Sequence, residues 1–176
     1  QGVKEEAAIN EQYSNQVKVY VTAINTKKIK DSCVTDLFSI LEKENFQMLF
    51  TADVEGAISV NAGQNVVIDL NGHTLSATSE NTGANYNMID VRGTLTVKNG
   101  TMEYKHLGEN MGWGSSTNLF NVTAGGVLNL EGVTAKNLGG SDMAFVAHLN
   151  NWGECTLNVN NSTLESTYIA IRVFNS

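Results

Sequence analysis

The chain has 176 residues, 41% hydrophobic and 16% charged, with sixteen glycines, no proline and a net charge of −7. That length fits one domain with a sizeable core, and the missing prolines exclude collagen, polyproline segments and a proline-rich linker. Eleven basic residues against eighteen acidic ones exclude the basic stripe that a phosphate-backbone binder needs, so nucleic acid is not an expected partner. Asparagine reaches 22 residues while charge stays low, so polarity rests on amides and hydroxyls. No apolar run approaches the ~20 residues that span a bilayer. No signal peptide opens the sequence, so an extracellular or cell-surface protein would have lost its signal already. Cys33 and Cys155 show neither C-x-x-C nor Cys/His ligand spacing; no metal or cofactor is expected of them, and whether they pair stays open.

Residues 1–16 are polar and read as a flexible arm. Val17, Val19, Val21 and Ala23 alternate with Lys18, Tyr20 and Thr22, which predicts a half-buried strand. Lys27, Lys28 and Lys30 follow in a turn region and read as a solvated loop. The period then changes. Val34, Leu37, Phe38 and Leu41 keep 3.6-residue spacing, with Asp36 early and Lys43 late, which predicts one amphipathic helix over about 33–45. From Phe46 onward every apolar stretch is short and alternating, separated by Asn/Gly turns. The expected division is therefore an arm at 1–16, a strand and capping helix at 17–45, and a repetitive β region at 46–176.

Within that region four segments superimpose: Ile68 to Leu75, Leu95 to Met102, Leu128 to Ala135 and Leu157 to Leu164. Each reads apolar-polar-apolar, then a short Asn/Gly turn, then Thr and another apolar residue. Thr74, Thr101, Thr134 and Thr163 are 27, 33 and 29 residues apart, so the unit is constant while its connections vary, as in a solenoid. A further strand precedes each later unit at Ile89 to Val91, Phe120 to Val122, Phe145 to Ala147 and Ile171 to Val173. Four to five rungs of three short strands follow, stacked at ~4.8 Å with Val, Ile, Leu and Phe inward. Asp69, Thr96, Asn129 and Asn158 are expected to form one outward column. Ser76, Glu103, Lys136 and Glu165 are expected to form another, with an ion-pair ladder worth ~0–1 kcal/mol per pair. Asn71, Asn99 and Asn161 recur at a corner that favours left-handed backbone.

The stretch Val66 to Leu75, preceded by the amphipathic helix and by Leu49 to Val54, resembles the N-terminal capping region of bacterial right-handed parallel β-helix proteins of the pectate-lyase-like superfamily. The likeness spans about residues 34–176 and implies an all-β fold, a right-handed parallel β-helix with one N-terminal capping helix. It looks closest to β-helix domains of large secreted or cell-surface proteins, many of them adhesin-like. Lyases, hydrolases and non-catalytic surface proteins share that fold, so the likeness does not assign an activity.

Chemistry is thin in the expected columns. A glycoside hydrolase needs two carboxylates about 5–9.5 Å apart, yet Asp69 is aligned beside Thr96 and Asp90 beside Asn121. Arg92 and Arg172, the basic candidates for a lyase, have no acidic cluster aligned with them. His73, His106 and His148 are scattered. No catalytic residue is therefore assigned, and no cofactor or metal is expected. For ligand binding the candidates are Trp113, in the Gly-rich stretch Lys105 to Thr117, and Trp152 with Asn151, in Leu149 to Glu154: an indole on such a loop can stack on a sugar ring. The reading is a non-enzymatic extracellular surface domain that binds a glycan or partner, or serves as a spacer. The alternatives are a polysaccharide lyase or hydrolase fragment, and a subunit that self-associates through an uncapped last rung at Tyr168 to Phe174.

Overall fold

The alternation of apolar and polar residues lays down strands that pair only in parallel among the described residues. In this computed structural model, residues 17–21, 45–79, 86–107, 116–139, 143–151 and 153–175 are described. Their elements in chain order are β1 (Val17–Val21), β2 (Asn45–Phe50), β3 (Val54–Glu55), β4 (Ile58–Val60), β5 (Asn65–Asp69), β6 (Thr74–Ser79), β7 (Tyr86–Val91), β8 (Thr94–His106), β9 (Thr117–Val122), β10 (Val127–Asn137), β11 (Ala144–Asn151), β12 (Thr156–Asn160), β13 (Thr163–Ser166) and β14 (Ile169–Asn175). The first face stacks β1, β2, β5, β8, β10 and β12. The second stacks β3 and β6 on the later half of β8, then β10 and β13. The third runs β4, β7, β9, β11 and β14.

The result is an all-β parallel solenoid of about three turns, residues 65–91, 94–122 and 127–151, bounded by end turns at 45–60 and 156–175. A single turn cannot bury its inward side chains, but stacking closes the column and pairs each backbone edge with the next. Val66, Leu95 and Leu128 stack in register, as do Ile68, Val97 and Leu130, and Ile89, Phe120 and Ala147; all are buried. Each of the Val, Leu, Ile and Phe side chains among them contributes roughly 1.5–3 kcal/mol on burial.

The four threonines align as expected: Thr74 lies beside Thr101, Thr101 beside Thr134 and Thr134 beside Thr163. The expected left-handed corner is also found, with φ of 49° at Asn71, 59° at Asn99 and 47° at Asn161, and Gly132 at 64° takes the same place in the third unit. One outward column needs correction. Thr96, Asn129 and Asn158 stack, but the residue beside Thr96 is Val67, and Asp69 lies beside Lys98 instead. The first unit turns its corner with four residues, 70–73, where the next uses two, Asn99 and Gly100. The slip is two residues, which keeps every side chain on its own face and so leaves no trace in an alternating pattern.

The second column, Ser76, Glu103, Lys136 and Glu165, is in register as expected. Its ladder reduces to one contact among the described residues, Lys136 Nζ to Glu165 Oε2 at 3.8 Å. Lys98 and Asp69 make a second pair at 3.7 Å, created by the corrected register. The arm at 1–16, Cys33 and all of the expected helix except Asn45, which opens β2, lie outside the described residues. Two expected loops are shorter than their bounds: Lys105 and His106 complete β8, and Leu149 to Asn151 complete β11.

Candidate functional site

Of the residues singled out for ligand binding, Trp113 and Trp152 lie outside the described residues. Asn151 closes β11 opposite Asn175, and its side chain is likewise outside them. Cys155 is a free thiol, half-buried against the core, and burial raises its pKa.

Three aspartates, Asp53, Asp69 and Asp90, are engaged in holding turns together. On the third face, successive Cα pairs omit Met88, Leu119 and Val146, a one-residue irregularity repeated from turn to turn. It sets Asn87 and Asp90 on the same side, where Asn87 Nδ2 donates to Asp90 Oδ1 at 3.0 Å. Asn121 Nδ2, one turn on, donates to the same oxygen at 2.9 Å, and Asn118 Nδ2 donates to Asn87 Oδ1 at 2.7 Å. At the first-face corner Asp69 Oδ1 accepts from the Asn71 N–H at 3.0 Å and from Asn99 Nδ2 at 3.2 Å. Asp53 Oδ1 accepts from the Thr74 N–H at 2.8 Å. On the first face, Asn158 donates to Asn129 at 2.8 Å and Asn129 donates to Thr96 at 3.2 Å.

The corner between the second and third faces is polar inside, unlike the rest of the core. Tyr104 is buried there with its ring stacked on Tyr86, centroids 5.0 Å apart and planes 12° from parallel. Burial drives its hydroxyl pKa far up, partly offset by the neighbouring Ser79 side chain. Asn137, fully buried, donates from Nδ2 to the carbonyls of Thr117 at 2.9 Å and Phe145 at 2.8 Å, tying the two faces together. His106 is buried and, among the described residues, neither of its ring nitrogens nor Oδ1 of Asn118 has a hydrogen-bond partner. These groups face inward, so they form a polar interior rather than an open cleft.

The last turn differs from the others. Columns buried in the interior turns, apart from the partly buried Leu149, emerge at 43% exposure for Val159, 42% for Ile171 and 65% for Val173. The first turn is closed by contrast, with Met48, Phe50, Ile58 and Val60 buried. Beside the exposed columns Asp90, Asn121, His148 and Arg172 share one register line across the third face. The Arg172 guanidinium lies 5.1 Å from the Phe145 ring centroid and 5.2 Å from that of Phe174. Tyr168 packs edge-on against Phe145 at 5.9 Å, and the His148 ring is 5.6 Å away. Burial first, and Arg172 second, lower the pKa of His148. The sequence marks Arg172 as a basic candidate, but its neighbours appear only when all three faces are in register.

Among the described residues no group of three His, Cys, Asp or Glu could hold a metal ion, and no helix is long and apolar enough to cross a membrane. No family model, no curated relative and no solved structure matches this chain.

Proposed function

We propose that this chain is a non-enzymatic extracellular domain, a right-handed parallel β-helix of the pectate-lyase-like kind, that serves a surface protein as a rigid spacer and binding module. The observation that supports this reading most is the engagement of Asp53, Asp69 and Asp90. Each accepts hydrogen bonds from other turns or from its own corner, so they act as joints of the stack. A glycosidase would instead hold two carboxylates free on either side of a sugar. Glycan binding is proposed for the Gly-rich sequence stretches that carry Trp113 and Trp152, where an indole can stack on a sugar ring.

The test is incubation of the chain with acidic and neutral polysaccharides, monitored by unsaturated-product absorbance and reducing-end release, alongside a glycan array. The expected result is no turnover, and array signals that fall in Trp113→Ala or Trp152→Ala. Turnover of any polysaccharide overturns the non-enzymatic reading, and an array without hits removes the glycan.

A further inference from the structure

The buried polar residues are not scattered through the core. Among the described residues they are Ser79, His106, Ser116, Thr117, Asn118 and Asn137, and all adjoin one corner, where the second face passes into the third. His106 is 4% exposed, and among the described residues neither of its ring nitrogens has a hydrogen-bond partner. Asn137 is fully engaged by contrast: its Nδ2 serves two carbonyls and its Oδ1 accepts from the Gly139 N–H at 3.0 Å. The inward line that contains His106 also differs from its neighbours. Ser79 lies beside His106 in the preceding turn. Gly139 approaches it from the following turn, where a built Cβ would stand 3.5 Å from the His106 Cβ and 3.0 Å from Thr117 Oγ1. Elsewhere β8 has aliphatic partners on both sides: Met102 lies between Leu75 and Ala135, and Val97 between Ile68 and Leu130. The His106 ring thus has a hydroxyl-bearing residue on one side and a residue without a side chain on the other, with the Thr117 hydroxyl at the same corner.

We infer that this corner is an internal hydration site, enclosing ordered water that hydrogen-bonds to the His106 ring. A neutral imidazole presents one N–H and one lone pair, so it calls for an acceptor and a donor at once, and water is both. The other five buried polar residues of the corner are uncharged, so an ion held there would lack a counter-charge among them. A buried water needs only roughly two to four polar partners, and the ring with the hydroxyls of Ser79 and Thr117 supplies that number. The rest of the core offers no such place, because its inward lines are aliphatic or aromatic and shut water out. The inference uses only the interior of the middle turns, so it stands apart from the absence of turnover and from the proposed glycan.

The experiment is oxygen-17 magnetic relaxation dispersion on the 176-residue chain, which counts water molecules held longer than the protein takes to rotate and does not respond to exchange of hydroxyl protons. The parent is expected to hold at least one. His106→Leu removes the ring that binds it, and Ser79→Val sets methyl groups beside that ring; each variant is expected to lose one such water or more while circular dichroism keeps the strand signal. Ser79→Val leaves the imidazole in place, so it carries the test if His106→Leu does not fold. In the parent itself, the carbon-bound ring protons of His106 are expected to show cross-relaxation with water of the sign given by a rigid contact. A parent without long-lived water, a His106 ring without that cross-relaxation, or a folded variant that holds as many long-lived waters as the parent overturns the inference.

Discussion

Asn121 Nδ2 donates to Asp90 Oδ1 at 2.9 Å across one turn of the solenoid, while Asn87 donates to the same oxygen at 3.0 Å from within its own strand. One carboxylate oxygen thus ties together two levels of the stack. Replacing Asp90 by Ala leaves two amide donors without their acceptor, and a partly buried group so stranded costs about 1–3 kcal/mol. The expected outcome for Asp90→Ala is a urea midpoint lowered by that amount with an unchanged β signal. Asp90→Asn keeps an acceptor oxygen and loses less. An Ala variant as stable as the parent would show that the ladder contributes nothing.

Asn161 turns the last first-face corner at φ 47° with its side chain exposed. The left-handed region costs a residue with an ordinary Cβ about 1–2 kcal/mol, while glycine enters it freely. Asn161→Ala is therefore expected to lose about 1 kcal/mol and Asn161→Gly to stay close to the parent in chemical unfolding. Loss in both variants would point to the amide rather than the backbone angle.

His148 makes stability depend on pH in a defined direction. Burial, followed by the adjacent Arg172 charge, lowers its folded pKa below the ordinary 6.5, so the unfolded chain binds the proton more tightly than the folded one. The stability held by the neutral ring is fully present above about 6.5 and falls as pH drops through the window beneath that value. Thermal unfolding measured from neutral to mildly acidic pH should show this decline, and His148→Gln should flatten it. A slope unchanged in His148→Gln would assign the decline to other groups.

How far the sequence revealed this fold follows from which features have a local signature. Strand alternation, the threonine line and the Asn corners are written in adjacent residues, and they lie where the pattern predicts. The position of Asp69 has no such signature, because a slip of two residues preserves the inward and outward faces. The cluster of Phe145, His148, Tyr168 and Arg172 joins residues from two turns and depends on a repeated irregularity that no single segment discloses. His106 is similar. Its neighbours are polar inward residues of several strands, which adjacent positions in the sequence do not disclose.

Gly100 and Leu70 divide one volume between successive turns. The four-residue corner at 70–73 sends the Leu70 side chain into the core, fully buried, and a Cβ built on Gly100 collides with it and stands 2.6 Å from the His73 carbonyl oxygen. One turn later the register partner of Gly100 is Val133, itself buried, because that turn has no four-residue corner to fill the place. Gly100→Ala is thus expected to destabilise by about 1–3 kcal/mol through overpacking, although alanine is no stranger to a strand. Leu70→Ala alone should lose about 2–5 kcal/mol by opening a cavity. Together they should lose close to the sum, since alanine keeps the Leu70 Cβ that stands nearest to the new methyl and the His73 carbonyl stays in place. A four-member cycle of urea midpoints measures the coupling, and a combined loss well below the sum would show that the outer part of the Leu70 side chain, rather than its Cβ and the His73 carbonyl, reserves this position for glycine.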